Sequence, residues 1–190
     1  KWDRVKDFQI LTPMRKGELG VYNLNLVLQK ALNPRRKKHS FTDLQIGDKV
    51  MQTKNNYMIK WKKVKRTFGE PPEGQGIFNG DIGYVTDIND EDNTVSVLFD
   101  EDKLVEFESQ DLDELALAYA VTIHKSQGSE FKVVLVPLFM GPPLLMSRNL
   151  IYTAVTRARE LIVLVGSQKA LAYMIKNTKT YDRHTSLRYR

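Results

Sequence analysis

Apolar positions along the chain fall into three stretches with different rhythms. The run Phe-Gln-Ile-Leu-Thr at residues 8–12 is short and mostly apolar and predicts a buried strand. Pro13 and Gly17 mark a loop after it. Over residues 19–33, Val21, Leu24, Leu28, Ala31 and Leu32 recur at helical spacing, and Asn33-Pro34 stops the pattern, so a helix is expected. Near Gln45 the period changes to two. Residues 48–53, 81–88, 94–100 and 104–109 read as short strands, and Val95, Val97 and Phe99 alternate cleanly with Thr94, Ser96 and Leu98. Turns at Asn79-Gly80, 89–93 and 100–102 separate them. Residues 54–75, with Pro71-Pro72, read as one long polar loop, and 111–115 as a small acidic turn. Four such strands predict a compact antiparallel barrel of SH3-like size. From Leu115 the first style returns. Strands are expected at 117–122, 132–138 and 161–165, and helices at 147–158 and 167–175. Ser147 is the candidate N-cap of the first of these helices, and Ile151, Ala154, Val155 and Ala158 form its apolar face. The predicted fold class is α/β, a parallel-sheet domain interrupted by an inserted β-barrel.

Composition narrows the chemistry. The chain has 190 residues, 42% apolar and 27% charged, which fits a folded domain rather than a disordered one. It has no cysteine, so disulfide frameworks, zinc knuckles and thiol nucleophiles are excluded. His39, His124 and His184 are far apart, and no His-based metal site is expected. Residues 133–146 form the longest apolar run, but Pro137, Gly141, Pro142 and Pro143 break it, so no membrane span is expected. Lys1 to Asp7 is polar, with no signal-peptide core; a cytoplasmic location and a piece of a longer polypeptide are expected.

The net charge is +6, and its distribution says more than its size. Arg35, Arg36, Lys37, Lys38 and His39 form one basic block. Lys54, Lys60, Lys62, Lys63, Lys65 and Arg66 form another, with Tyr57 and Trp61 among them. Either block alone is as well explained by a solvated loop. Cations interleaved with aromatics also suit a single-stranded nucleic acid, whose bases stack while its phosphates follow the charges.

Two segments are dense in groups that do chemistry. Thr122-Ile-His-Lys-Ser-Gln-Gly-Ser-Glu-Phe131 follows one apolar strand and precedes another. Polar groups at the end of a buried strand must be satisfied, and ligands of open α/β sheets bind at the carboxyl ends of strands. Tyr152-Thr-Ala-Val-Thr-Arg-Ala-Arg159 places Thr153 and Arg157 four apart, on one side of the predicted helix. A guanidinium at the edge of a packed face suits phosphate oxygens, or it offsets a helix dipole. No Gly-Lys pair occurs, so the chain has no P-loop. Residues 95–102 mimic a Walker B strand, but their alternation and the acidic turn fit a hairpin better. Residues 87–98 mimic a calcium loop, with Asp92 where glycine is needed and Leu98 where glutamate is needed.

Taken together these segments are recognisable. Residues 122–131 resemble motif V of superfamily 1 helicases, and residues 152–159 resemble motif VI. Leu11-Thr-Pro-Met-Arg-Lys-Gly17, with Asn25 and Leu32-Asn-Pro34, is similar to the motif IV region of the RecD/TraA-type branch. Gly47-Asp-Lys-Val-Met-Gln52, Asn55-Asn-Tyr57 and Phe78-Asn-Gly-Asp-Ile-Gly83 resemble the same branch, in which an SH3-like domain is inserted into the second motor domain. Motifs I, Ia, II and III are missing. The resemblance, which extends to the exodeoxyribonuclease V alpha subunit, implies the C-terminal motor half of a DNA helicase. It implies a RecA-like second motor domain over residues 1–45 and 112–190, with an SH3-like barrel over 46–111.

The resemblance also implies roles. Arg157 is similar to the arginine finger on the γ-phosphate of ATP, and Arg15 to a second phosphate-facing arginine. Gly128 would let the backbone approach the phosphates, and Glu130 would bond the ribose. Gln127 would couple the nucleotide to the DNA groove. Thr122, His124, Lys125 and Ser126 would hold the single-strand backbone, joined on the barrel by Lys60, Lys62 and Lys63. The implied cofactor is ATP with Mg2+, its magnesium ligands on the missing N-terminal motor domain. The implied partners are single-stranded DNA, that N-terminal domain of the same polypeptide, and other recombination or repair proteins. The implied direction is 5′ to 3′, and this chain by itself is expected to be inactive. The alternatives from other classes are a non-enzymatic nucleic-acid-binding module and a viral-type superfamily 1 RNA helicase.

Overall fold

A computed structural model describes residues 1–34, 37, 39–65, 69 and 71–178. Arg35, Arg36, Lys38 and Arg66 of the basic blocks lie outside the described residues. In chain order the elements are β1 (Phe8–Thr12), α1 (Val21–Leu32), β2 (Lys49–Gln52), β3 (Asn56–Lys63), β4 (Glu73–Ile77), β5 (Ile82–Asn89), β6 (Thr94–Phe99), β7 (Lys103–Glu108), β8 (Leu115–Leu117), β9 (Ala120–Thr122), β10 (Phe131–Leu138), α2 (Arg148–Val155), β11 (Ala158–Gly166) and α3 (Gln168–Lys176). Among the described residues no helix is long and apolar enough to cross a membrane.

The strands form two sheets. One is parallel, in the order β11-β10-β1-β9. Leu11, Val134, Val136 and Leu138 bury one of its faces against Leu150, Ile151 and Ala154 of α2 and Ala170 and Met174 of α3. The other sheet is antiparallel, in the order β4-β3-β7-β6-β5-β2-β8. Its interior holds Val50, Ile77, Val85, Val95, Val97, Phe99, Val105 and Phe107. Each such side chain contributes about 1.5–3 kcal/mol on removal from water.

The clean alternation over residues 94–99 does form β6, with Val95, Val97 and Phe99 inward. The acidic turn after it takes a tight hairpin form. Asp100 and Glu101, the central residues of a turn closed by the Asp102 amide on the Phe99 carbonyl (3.1 Å), both have positive φ, at 49° and 61°.

Three expectations are corrected. Residues 54–75 are largely a hairpin, β3 with β4, which adds two strands to the four expected, and β8 makes the antiparallel sheet seven-stranded. Only Ile59 and Trp61 of β3 pack on the barrel core, while Met58, Lys60 and Lys62 face water, so the segment reads as polar. Gly74 lies under the Trp61 ring, where an added Cβ would come within 2.4 Å of it. The single strand expected over 117–122 is two strands in different sheets: β8 pairs with β2, and β9 with β1. The chain changes sheets at Ala118-Tyr119. Finally, α2 stops at Val155, three residues short of its expected end, and Ala158 already opens β11. Thr153, Val155 and Thr156 are β-branched, and the hydroxyls of Thr153 and Thr156 donate to the carbonyls of Asn149 and Thr153. Ser147 is the N-cap expected, its Oγ accepting from the Leu150 amide at 3.3 Å.

The two sheets are joined by a shared seam. Met51 of β2 packs in the core of the parallel sheet. Lys49, only 2% exposed, drives its ammonium into the first turn of the chain and donates to the carbonyls of Phe8 (3.0 Å) and Val5 (3.3 Å). Burial pulls the Lys49 pKa down to about 8, against the opposing pull of Asp7 and Asp3.

Candidate functional site

The segment 122–130 departs from the carboxyl end of β9 and returns to the amino end of β10, passing β1, which lies between those strands. In most parallel crossovers a helix does this work. Here a 3₁₀ turn, Ile123–Ser126, begins it, and side chains shape that turn. Thr122 Oγ1 accepts from the Lys125 amide at 3.2 Å, and Ser126 Oγ donates to the Ile123 carbonyl at 2.7 Å. Thr122 and Ser126 are buried, with Ile123 anchored in the core between them. This leaves His124, Gln127, Gly128 and Glu130 exposed, with Lys125 and Ser129 half-buried. Gly128 has φ +89° with open space around it, so the backbone conformation, not crowding, selects glycine.

Arg15 leaves the carboxyl end of β1, whose Thr12 is level with Thr122 of β9. The loop carrying it is folded tightly: the Tyr22 amide at the start of α1 donates to the Arg15 carbonyl, and the Val21 amide to that of Met14. Arg15 lies close enough to Lys125 to act on its charge. The Lys125 pKa is lowered, first by partial burial and then by the Arg15 guanidinium. Both cations follow the carboxyl ends of neighbouring strands, β1 and β9, and positive charge gathered there favours an anion.

Arg157 sits at the other end of the parallel sheet. Because α2 ends early, it occupies the turn into β11, where its carbonyl accepts from the Phe131 amide at 2.8 Å. Its guanidinium is braced on three sides: Nη1 to the Ser129 carbonyl (3.1 Å), Nε to the Thr153 carbonyl (3.3 Å) and Nη2 to Thr156 Oγ1 (3.3 Å). Glu130 is met by Arg159, Nε to Oε2 at 2.8 Å, a pairing that the Arg-Ala-Arg triplet leaves open in the sequence. Arg157, Ser129, Glu130 and Arg159 are thus brought together, while Arg15 and Lys125 form a second cluster, and 122–130 connects the two.

The barrel residues divide. Lys60 and Lys62 are exposed, whereas the Lys63 side chain is 12% exposed with its ammonium 3.3 Å from Asp102. Trp61 is engaged with Gly74 and with Lys103, whose ammonium lies 5.7 Å from the ring centroid. The open aromatics are Tyr57 and Phe78, in edge-to-face contact with centroids 5.5 Å apart. Among the described residues no group of three or more His, Asp or Glu is arranged to hold a metal ion.

Comparison with known proteins shows what the two parts of the chain resemble. Residues 24–99 match the SH3 domain of ATP-dependent RecD-like DNA helicases, and residues 117–165 match the UvrD-like helicase C-terminal domain. The chain is 39% identical to the ATP-dependent RecD2 DNA helicase of Deinococcus radiodurans over 85% of its own length and 20% of that protein's. It is 29% identical to the RecBCD enzyme subunit RecD of Mycolicibacterium smegmatis over 97% of its length and 29% of that protein's. The chain therefore spans less than a third of either relative. A crystal structure of a Pif1 helicase from Bacteroides with ADP-AlF3 and ssDNA superposes with a TM-score of 0.54 at 20% identity, covering 87% of this chain and 42% of that one, a likeness of fold. The α/β sheet is a RecA-like domain and the antiparallel sheet its SH3-like insert. Residues 24–99 thus resemble the SH3 domain of RecD-like DNA helicases, residues 117–165 resemble a UvrD-like helicase C-terminal domain, and the chain is similar to RecD-like helicases over most of its length.

Proposed function

We propose that the chain is the C-terminal motor part of an ATP-dependent 5′–3′ DNA helicase. It supplies the arginine-finger side of the ATP site and part of the single-strand groove. The observation that carries this reading is the bond from Arg157 to the Ser129 carbonyl. It fixes a guanidinium to the same short segment whose other end presents His124 and Lys125. A shift of DNA against that segment would move the arginine, and a shift of nucleotide would move the groups that touch DNA.

In this reading Arg157 faces the γ-phosphate and stabilises charge that develops as the phosphoryl group passes to water. Glu130 meets the ribose, exchanging Arg159 for it, and Gly128 lets the backbone come close. Arg15, at the opposite end of the segment from Arg157, adds positive charge beside Lys125, and Gln127 links the two ligands. His124 and Lys125 touch the strand directly, while Thr122 and Ser126 hold the turn that presents them. ATP arrives with Mg2+, whose ligands belong to the N-terminal motor domain of the same polypeptide. Single-stranded DNA is the track, and the RecD resemblance extends the partners to recombination or repair proteins. A cytoplasmic location goes with this role.

The test is steady-state kinetics of the full-length parent. Arg157→Ala should cut DNA-stimulated ATP hydrolysis by about 10³ or more, the range of arginine fingers, with little change in affinity for single-stranded DNA. His124→Ala and Lys125→Ala should first weaken DNA binding. Wild-type hydrolysis by Arg157→Ala would remove the motor role from this turn and favour the binding-module alternative.

A further inference from the structure

Asp48 stands between the insert and the motor. Its side chain is fully buried, and four donors converge on it. Oδ1 accepts from the Tyr119 hydroxyl and from Asn33 Nδ2, each at 2.8 Å. Oδ2 accepts from Gln29 Nε2 at 2.5 Å and from the Gln45 amide at 2.8 Å. Gln29 and Asn33 lie one turn apart at the end of α1, Gln45 leads into the barrel, and Tyr119 sits at the point where the chain changes sheets. Burying a carboxylate is costly unless its lone pairs are filled, and here they are filled from three separate parts of the fold.

What hangs from these donors is the functional loops. One residue after Tyr119, Ala120 is clasped at both ends by Asn25 of α1, amide to Oδ1 at 2.8 Å and Nδ2 to carbonyl at 3.0 Å. Two residues further, Thr122 caps the turn that presents His124 and Lys125. At the other end of α1, the loop bearing Arg15 is bonded to the first helical amides. One buried carboxylate therefore fixes both the helix that follows Arg15 and the strand that leads to Lys125.

We propose that Asp48 is a positioning residue that locks the barrel, α1 and the start of β9 in one relative orientation, and so sets the geometry of the Arg15 loop and the 122–130 segment. It touches neither ATP nor DNA. The link to catalysis rests on the motor reading above; the mechanical link does not.

The test uses the full-length parent carrying Asp48→Asn, with Tyr119→Phe as the milder variant. An asparagine has the right shape but turns an NH2 toward two of the donors. Amide exchange should quicken by about tenfold over residues 21–33 and 117–126, the equivalent of losing a net hydrogen bond, while residues 94–108 stay protected. Tyr119→Phe should quicken 117–126 and leave 21–33 alone. In kinetics, the oligothymidylate concentration for half-maximal ATPase should rise by about tenfold, with DNA-free hydrolysis unchanged. Exchange that quickens uniformly through both sheets would make Asp48 a general stabiliser and overturn the proposal. So would exchange that quickens only at residues 45–50, or an unaltered DNA requirement in a parent that is DNA-stimulated. A wild-type parent with no DNA-stimulated hydrolysis would instead defeat the motor reading, and exchange alone would then decide for or against Asp48. Should Asp48→Asn not fold, exchange in Tyr119→Phe decides in the same way.

Discussion

The guanidinium of Arg157 donates to the carbonyl oxygen of Ser129 at 3.1 Å, joining the turn after α2 to the segment between β9 and β10. The bond is made by a planar group with donors in fixed directions, and the same group reaches the Thr153 carbonyl and the Thr156 hydroxyl. An arginine braced in this way is held in one orientation, the pre-organisation that the proposed arginine-finger role requires.

Lysine cannot reproduce that brace. Its single ammonium can meet one or two of the three acceptors, and it lacks the planar fork that fits phosphate. Arg157→Lys in the parent should therefore hydrolyse ATP about as poorly as Arg157→Ala, lower by roughly 10³. Recovery of most of the wild-type rate in Arg157→Lys would mean that charge alone is needed there.

Gly128 offers a test of the segment's backbone. Its φ of +89° is unfavourable for an L side chain, yet nothing lies near an added Cβ. Gly128→Ala should cost about 1–2 kcal/mol from the backbone alone, and Gly128→Asn less, because asparagine tolerates positive φ better. Thermal melts of the two variants would check this, at about 2–4 °C per kcal/mol for a chain of this size. Equal, wild-type melting for both would show that the segment relaxes freely and does not hold Ser129 against Arg157.

Much of this was legible in the sequence, and the failures have physical causes. The period of α1 and its Asn33-Pro34 stop, the alternation of β6 and the Ser147 cap are local signals, and each occurs where expected. The β3–β4 hairpin is hidden because its outward face is rich in lysine and its partner strand carries Gly74 and Gly76. The break at Ala118-Tyr119 is hidden because the run from Leu115 to Val121 is apolar throughout and has no polar punctuation, although β8 is half-exposed and only β9 is buried. In the site, the polar residues of 122–130 stand out by composition, but the division between presenting and supporting side chains does not. Thr122 and Ser126 look like ligands until their hydroxyls are seen to bond their own turn. Asp48 lies in the Gly47–Gln52 motif, but its role cannot be read from the pattern, since its partners Gln29, Asn33 and Tyr119 are 19, 15 and 71 residues away.

The barrel lysines should separate in a salt titration. Lys60 and Lys62 are exposed on β3. In the proposed groove each follows one phosphate, so changing either to alanine should lower the log-log slope for single-stranded DNA binding by roughly 0.7. Lys63 lies against Asp102 with little of its side chain exposed. Lys63→Ala should leave the slope unchanged and lower the melting temperature instead. A slope change in Lys63→Ala as large as in the other two would place all three on the DNA.

The last prediction concerns the buried cation of the seam. Lys49 has a folded-state pKa of about 8, below the ordinary lysine value, because burial disfavours its charge. The sign follows from proton counts. Between pH 8 and about 10 the unfolded chain holds this proton and the folded chain largely does not, so unfolding takes up a proton and stability rises with pH. Below pH 8 both states are charged and the full penalty is present. Over that window the gain should be about 2 kcal/mol from this group. The acidic neighbours Asp3 and Asp7 stay ionised throughout, Asp7 held low by the hydrogen bond from Lys132. Tyr84, which faces Lys49 across β2 and β5, acts in the opposite direction, but at higher pH. Burial raises its pKa to about 12, so its contribution declines as pH passes through the ordinary tyrosine value near 10. Tyr119 is shifted the same way, chiefly by burial and then by its bond to Asp48. Thermal melts of this chain from pH 7.5 to 9.5 should therefore rise for the wild type and stay flat for Lys49→Met, which keeps the stem and removes the charge. At pH 7 the methionine variant should be at least as stable as the wild type, since an apolar replacement for a buried charge is often neutral or favourable. Parallel pH curves for the two proteins would show that the ammonium is hydrated in solution, and that the seam is looser than its bonds to Val5 and Phe8 make it.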